Sequence, residues 1–258
     1  MTLQKKGHFT FYRWNILNDA GVTAFTAAGV NTALHAPGSD SQATILENRR
    51  QLSMAAGISE RDWICADQVH GNSSLLCSRQ DRGRGALSAE TAAAETDALI
   101  LGEAGLQGMI FTADCLPVIL YDTEQHIGAL IHAGWRGAAA GIVPAVLDRM
   151  TGEAGCSIHR ILAAAGPVID ACCNQVDAPV YQAMTSAYPE TTAAFTPDGE
   201  AHWRFSLEKA VFLQLASRGM EESQMEGSGL CSCCHTELSS WRREGKSAGR
   251  MATCLILE

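Results

Sequence analysis

Apolar residues along this chain fall into two kinds of run. Residues 98–101, 109–112, 118–121 and 127–132 are compact, continuously apolar and separated by Gly, Pro or Asp, the pattern of neighbouring strands buried on both faces. They are expected to build one central sheet. Residues 62–66 and 73–77 read as short strands on either side of a turn, 158–164 as another strand, and 250–257 as a closing one. Helical spacing appears after Gly137, where AAAGIVPAVLDRM carries Pro144 as an expected irregularity, and again over residues 177–188 and 206–219. Residues 78–96 have no clear apolar period and predict a mobile surface excursion with a short helix. No repeat of fixed period and no linker-like stretch interrupts the series, so the pattern predicts a single α/β domain spanning 1–258.

Composition narrows the partners. Hydrophobic residues make up 47% of the chain and charged residues 18%, enough apolar material for a sizeable core. A net charge of −9 opposes nonspecific attraction to nucleic acid or to an anionic membrane surface, because both depend on a basic face. A small-molecule partner fits better. The amino-terminal stretch mixes Lys5, Lys6, His8 and Arg13 among aromatics, without the apolar core of a signal peptide. The most apolar segments fall short of the roughly 20 residues a membrane span requires. Ten cysteines in so long a chain, with no export signal, are expected to be reduced thiols in the cytoplasm, most of them small core residues.

Three turns carry the chemistry. Asp67-Gln68-Val69-His70-Gly71, Thr112-Ala113-Asp114-Cys115-Leu116-Pro117 and Ile131-His132-Ala133-Gly134-Trp135-Arg136-Gly137 each place a ligand-type side chain where an apolar run breaks. A histidine before a glycine is by itself more often a turn or core residue. Together, His70, Cys115 and His132 supply two imidazoles and a thiolate, enough for a catalytic zinc that keeps its fourth position open. Copper competes well for such donors in vitro, with Met109 as a weak axial neighbour. The same residues also suit a metal-independent cysteine hydrolase or amidase, with Cys115 as nucleophile and His132 or His70 as base. Asp114 is a candidate base, a candidate orienting group or a turn-capping carboxylate.

Arg136, at the expected start of a helix, is the leading phosphate ligand, since its planar fork matches phosphate oxygens and a helix start offers free N–H groups. Cys231-Ser232-Cys233-Cys234-His235 is not taken as half of a structural zinc site, since no second ligand pair follows downstream; it reads as a thiol-rich turn. Cys172-Cys173 reads as packing.

The blocks TADCLPV, HAGWRG and QVHG, with AAAGPVIDACC and SWRREGKSAGR downstream, resemble the signatures of the YfiH-like family, also called the multi-copper polyphenol oxidoreductase or laccase-domain family. They cover residues 48–250, and HAGWRG beside TADCLPV is highly specific. The resemblance implies an α-β-β-α sandwich, zinc on His70, Cys115 and His132, and purine nucleosides with phosphate as substrates. By their place in its blocks it also marks Gln68, Arg49, Arg243 and Arg250 as substrate or phosphate candidates, with ordinary surface ion pairs as the alternative for Arg49, Arg242 and Arg243. It also implies phosphorylase activity on purine nucleosides, deamination of adenosine and cleavage of methylthioadenosine. The older oxidase name sits poorly with the residues: none of the eight histidines stands two from another, so a full set of laccase copper ligands is absent. The chain departs from the family pattern twice. Phe25-Thr26-Ala27-Ala28-Gly29-Val30-Asn31 lacks the usual arginine, and Asn174 stands where a tyrosine commonly follows the paired cysteines.

Overall fold

The computed structural model describes residues 1–258. Its first elements are β1 (Thr2–Lys6), β2 (Phe9–Arg13), α1 (Asn15–Asp19), β3 (Thr23–Ala28), α2 (Gln42–Ala56), β4 (Trp63–Cys65) and β5 (Ser74–Cys77). The middle of the chain forms β6 (Ala98–Leu101), β7 (Gln107–Thr112), β8 (Leu116–Asp122), β9 (Ile127–Ala133), α3 (Trp135–Ala139), α4 (Ile142–Gly152) and β10 (Ile161–Ala165). Then follow β11 (Gln175–Asp177), α5 (Ala178–Ala187), β12 (Phe195–Pro197), β13 (His202–Phe205), α6 (Leu207–Ser217), β14 (Met225–Gly227), α7 (Trp241–Glu244) and β15 (Met251–Ile256).

These strands form two six-stranded sheets, ordered β1-β2-β3-β15-β7-β4 and β14-β10-β8-β9-β6-β5, and a small third sheet, β11-β13-β12. The two-residue period of the strands explains how the large sheets stack. Leu99, Ile110, Ile119, Leu130 and Leu255 point between them into one apolar layer. Their neighbours Ile100, Val118, Leu120 and Ile131 point outward from the second sheet onto Val146, Leu147, Val211 and Leu215 of α4 and α6. On the far side, Met109, Phe111 and Cys254 face Leu52 of α2. Both faces of each large sheet are covered at its central strands, which is why those strands read as continuous apolar runs and why the architecture is an α-β-β-α sandwich. Each fully buried Leu or Ile in these layers contributes about 2 kcal/mol.

Two expectations need correction. The four apolar runs do not share a sheet: β7 belongs to the first, and β6, β8 and β9 to the second. Periodicity reports burial but not partner choice, and the chain changes sheets between β7 and β8, at the turn that carries Cys115. The strand expected over residues 250–257 is found as β15, in the interior of its sheet and antiparallel to both β3 and β7. The helix expected after Gly137 starts earlier, at Trp135, and is broken at Gly141, whose φ of 78° ends α3. Pro144 then sits in the first turn of α4, where its missing N–H is not needed. Residues 78–96 fold into two 3-10 turns, Arg79–Asp81 and Ala89–Thr91. No helix is long and apolar enough to cross a membrane.

Arg49 is likewise corrected. It is a phosphate candidate by sequence, but its side chain is 1% exposed and lies inside the layer between α2 and the first sheet. Nε donates to the Thr32 carbonyl at 2.6 Å, and Nη1 donates to the carbonyls of Gly85 and Ala86 at 2.5 and 2.7 Å. The guanidinium also stands over the Phe111 ring at 5.2 Å. Arg49→Ala should therefore cost roughly 3 kcal/mol of stability by leaving buried carbonyls unpaired, a loss read by denaturant unfolding.

Candidate active site

A cleft of about 600 Å³ opens at the end of the sandwich where β7, β8 and β9 meet the small sheet and α7. Cys115 enters it from the crossover between the large sheets, His132 from the last turn of β9 and His70 from the loop after β4. The donor atoms of these three residues all lie within 4.8 Å of one another. The two imidazole rings stand 4.8 Å apart at 76°, so they approach edge to face rather than stack.

Local backbone geometry makes the convergence possible. His70 and Asp114 both adopt positive φ, at 62° and 82°, in the left-handed region that turns the chain sharply beside each donor. A Cβ on Gly134 would stand 2.8 Å from the His70 ring and 3.2 Å from Cys115 Sγ. A Cβ on Gly137 would meet the Gly71 carbonyl at 2.7 Å. The two glycines of HAGWRG thus let the loop bearing His70 close over β9.

Asp97 organises the donors, and sequence reasoning missed it. It is fully buried immediately before β6, where Oδ1 accepts from His132 Nδ1 at 2.8 Å and from the His70 backbone N–H at 3.0 Å. Oδ2 accepts from the N–H groups of Gly71 and Val69 at 2.7 and 3.3 Å. Using Nδ1 in this bond leaves His132 Nε2 as the ring's free ligand atom. Burial alone would raise the Asp97 carboxyl, but the His132 bond and the backbone donors hold it below its ordinary value. Nothing in the one-dimensional pattern marks it beyond an acidic residue standing at the head of a buried strand.

Burial would likewise push the Cys115 thiol up, yet the charge and hydrogen bonds of His132 and His70 bring it below its ordinary value, which favours the thiolate. His132 moves the opposite way: burial disfavours its cation, and Cys115 and Asp97 more than offset that. A thiolate facing two imidazoles, one of them anchored by a carboxylate, is the donor chemistry of a catalytic zinc centre. Met109 does not join it. That side chain is fully buried with Phe11, Phe25 and Trp63 in the layer against α2 and does not line the cleft.

The remaining candidates separate by what already occupies them. Gln68 lines the cleft, but its amide is spent on Phe111, donating to the carbonyl at 2.7 Å and accepting from the N–H at 2.8 Å. It pins the loop of His70 to the end of β7. Asp114 accepts from Ser232 Oγ at 2.7 Å and from the Arg242 N–H at 2.6 Å, which braces the segment leading into α7. Arg243 is absent from the cleft lining; its guanidinium is held by the carbonyls of Ser232, Cys233 and His235, and it corrects the phosphate expectation as Arg49 does.

Arg250 does line the cleft, where Nη1 donates to the carbonyls of Ala248 and Gly249 and the guanidinium stands 5.6 Å from the Trp241 ring. Arg136 is the arginine of the cleft with no ion pair and no side-chain hydrogen bond; it rests over the Trp135 ring at 4.2 Å. Its helix, α3, has only five residues and adds little dipole, so the anion affinity of this wall comes from the guanidinium. Arg242 also faces the cleft, although sequence reasoning favoured an ordinary ion pair for it. Three arginines lining the cleft give this acidic protein a locally positive site. His35, also unforeseen, enters beside Phe111, its pKa pushed down to about 4 by burial and then by Arg250 and Arg49.

Known proteins share this arrangement of elements. The chain is 31% identical over 226 residues to the purine nucleoside phosphorylase YlmD of Geobacillus stearothermophilus, covering 87% of this chain and 82% of that protein. It is also 31% identical over 218 residues to the adenosine deaminase RL5 of an unknown prokaryotic organism, covering 83% and 82%. The crystal structure of the hypothetical protein YfiH from Bacillus licheniformis superposes with a TM-score of 0.91 at 28% identity, over 99% of both chains. A family model described as multi-copper polyphenol oxidoreductase laccase matches residues 14–258, a span that contains both faces of the sandwich and every residue lining the cleft. On that match the chain belongs to the multi-copper polyphenol oxidoreductase laccase family.

Proposed function

We propose that this protein is a zinc-dependent purine nucleoside phosphorylase that also deaminates adenosine and cleaves methylthioadenosine. The observation that carries this reading is the pairing, in one cleft, of an anchored His70–Cys115–His132 donor set with the unpartnered guanidinium of Arg136. The names of the similar phosphorylase and deaminase support it. A cleft of about 600 Å³ also suits a nucleoside with phosphate.

Each residue then has a task. Arg136 holds phosphate against the ribose carbon that bears the base, and Arg250 adds positive charge beside it. Trp241, an exposed ring lining the cleft, offers a face to the purine. Asp97 fixes the His132 ring, and Gln68 fixes the loop of His70. A zinc ion on His70, Cys115 and His132 supplies Lewis-acid activation of an oxygen nucleophile when bound.

The deciding experiment is product analysis on metal-quantified protein with inosine, adenosine, guanosine and methylthioadenosine, each with and without phosphate. Free base and ribose 1-phosphate should form only with phosphate, and inosine should form from adenosine without it. Base release independent of phosphate would overturn the phosphorylase reading. Arg136→Ala should raise the phosphate KM by roughly 10- to 100-fold while the nucleoside KM moves much less. An unchanged phosphate KM removes Arg136 from the clamp.

One observation favours a second reading, a cysteine hydrolase. Cys115 already faces an imidazole oriented by Asp97, the relay a nucleophilic cysteine requires. The two readings exclude each other, because a metal-bound thiolate is not free to attack. Full activity in chelator-stripped protein would favour the hydrolase.

A further inference from the structure

Outside the cleft's donor set lies another convergence of metal-ligating side chains. Cys172, Cys173, Cys231 and Cys234 have sulfurs that all lie within 4.8 Å of one another. Cys234 Sγ stands 3.5 Å from Cys172 Sγ and 3.3 Å from Cys173 Sγ. Cys231 and Cys234 do have C-x-x-C spacing, and the second pair that sequence reasoning sought downstream lies upstream instead. We infer that these four cysteines form a second, structural metal site, a tetrathiolate centre for zinc that fastens two loops of the cleft wall to each other.

The geometry favours a single ion. Zinc bonded tetrahedrally to thiolates at about 2.3 Å holds its sulfurs about 3.8 Å apart, so the observed spacings bracket what one ion requires. An iron–sulfur cluster places its cysteines on different metal atoms and hence further apart. Disulfides are not formed here: sulfurs 3.3 and 3.5 Å apart are well beyond the bond length of about 2.05 Å. Four thiolates this close repel one another unless a cation lies between them.

The surroundings suit a closed site. The Asp170 N–H points at Cys231 Sγ from 3.5 Å, the backbone support that a thiolate ligand takes. The Cys173 and Asn174 N–H groups donate back to the Asp170 carbonyl at 2.8 and 2.9 Å, making the tight turn that presents both upstream sulfurs. Cys172 and Cys234 are exposed, which gives an ion its way in. Cys233 lies outside the group and serves as a control.

The two loops also bear part of the cleft. Ile169 and Asn174 line it from the first, while Ser232, between two of the cysteines, donates to Asp114 beside Cys115. Arg242 Nη1 reaches from α7 to the Cys173 carbonyl at 2.8 Å. A metal on the four thiols therefore holds this part of the cleft wall in register with the crossover loop, whatever reaction the cleft performs.

Metal content of protein purified under reducing conditions tests this. The wild type should carry about two zinc ions per chain, and the triple variant H70A/C115A/H132A, which keeps all four thiols, about one. Loaded with cobalt, that triple variant should show the intense thiolate charge-transfer and visible bands of a tetrahedral tetrathiolate. C172S/C234S should lose one ion relative to the wild type, and C233S should lose none. A triple variant with no bound ion and no cobalt bands overturns the proposal even if C172S/C234S fails to fold. So does a disulfide among the four cysteines in intact-mass and peptide analysis of the reduced preparation. Removing the ion from the triple variant with a chelator should speed hydrogen exchange in residues 168–174 and 229–240; unchanged exchange would overturn the fastening role.

Discussion

Replacing Cys115 or His132 with alanine is expected to cost one zinc equivalent and to lower turnover by roughly 1,000-fold or more. The size follows from the several kcal/mol that a bound metal contributes to a developing charge. Cys115→Ala is the cleaner variant, since the residue is only partly buried and alanine fits where a small sulfur stood. His132→Ala opens a buried site and strips Oδ1 of Asp97 of one donor, so it should also destabilise the fold by about 1–3 kcal/mol. Metal analysis and kinetics on the same folded sample decide the matter. A Cys115→Ala protein that turns over normally would dismiss both the metal and the nucleophile readings. Loss of turnover in that variant, with activity surviving in chelator-stripped wild type, leaves Cys115 as the attacking group.

The parts of this site that were legible in the sequence are those that sit where an apolar run stops. His132 ends β9, Cys115 lies in the break between β7 and β8, and His70 follows β4, so period and punctuation together marked all three. Arg136 was marked by its place beside them. What periodicity could not supply was the partner of each strand. The change of sheet between β7 and β8 left no trace in a pattern where both faces of these strands are apolar, yet it is what carries Cys115 to the cleft. Arg49 and Arg243 misled for a related reason. An arginine's sequence context does not reveal that carbonyls from distant turns will take up its N–H groups. The cysteine pairs failed differently: Cys172 and Cys173 are far in sequence from Cys231 and Cys234, and only the pairing of β10 with β14 brings their loops side by side.

Asp97 is where the sequence was least informative and where a single change is expected to reach furthest. One carboxylate accepts from three successive backbone N–H groups of the loop bearing His70 and from the ring of His132, so it sets the positions of two of the three donors at once. Asp97→Ala leaves all four donors without an acceptor in a fully buried setting and should cost roughly 3–5 kcal/mol of stability. Asp97→Asn separates position from stability. It keeps the volume and one acceptor oxygen, but turns an NH₂ toward groups that are themselves donors, so either the His132 ring or the loop must give way. Zinc affinity at the His70–Cys115–His132 site should fall by roughly 10- to 100-fold in Asp97→Asn, read by chelator competition, with a matching shift in the cobalt spectrum of that site. A merely structural carboxylate would lower the unfolding midpoint and leave both signals where they were. If Asp97→Asn keeps wild-type metal affinity, His132 is held by β9 and its packing alone, and the orienting role assigned to the carboxylate is wrong.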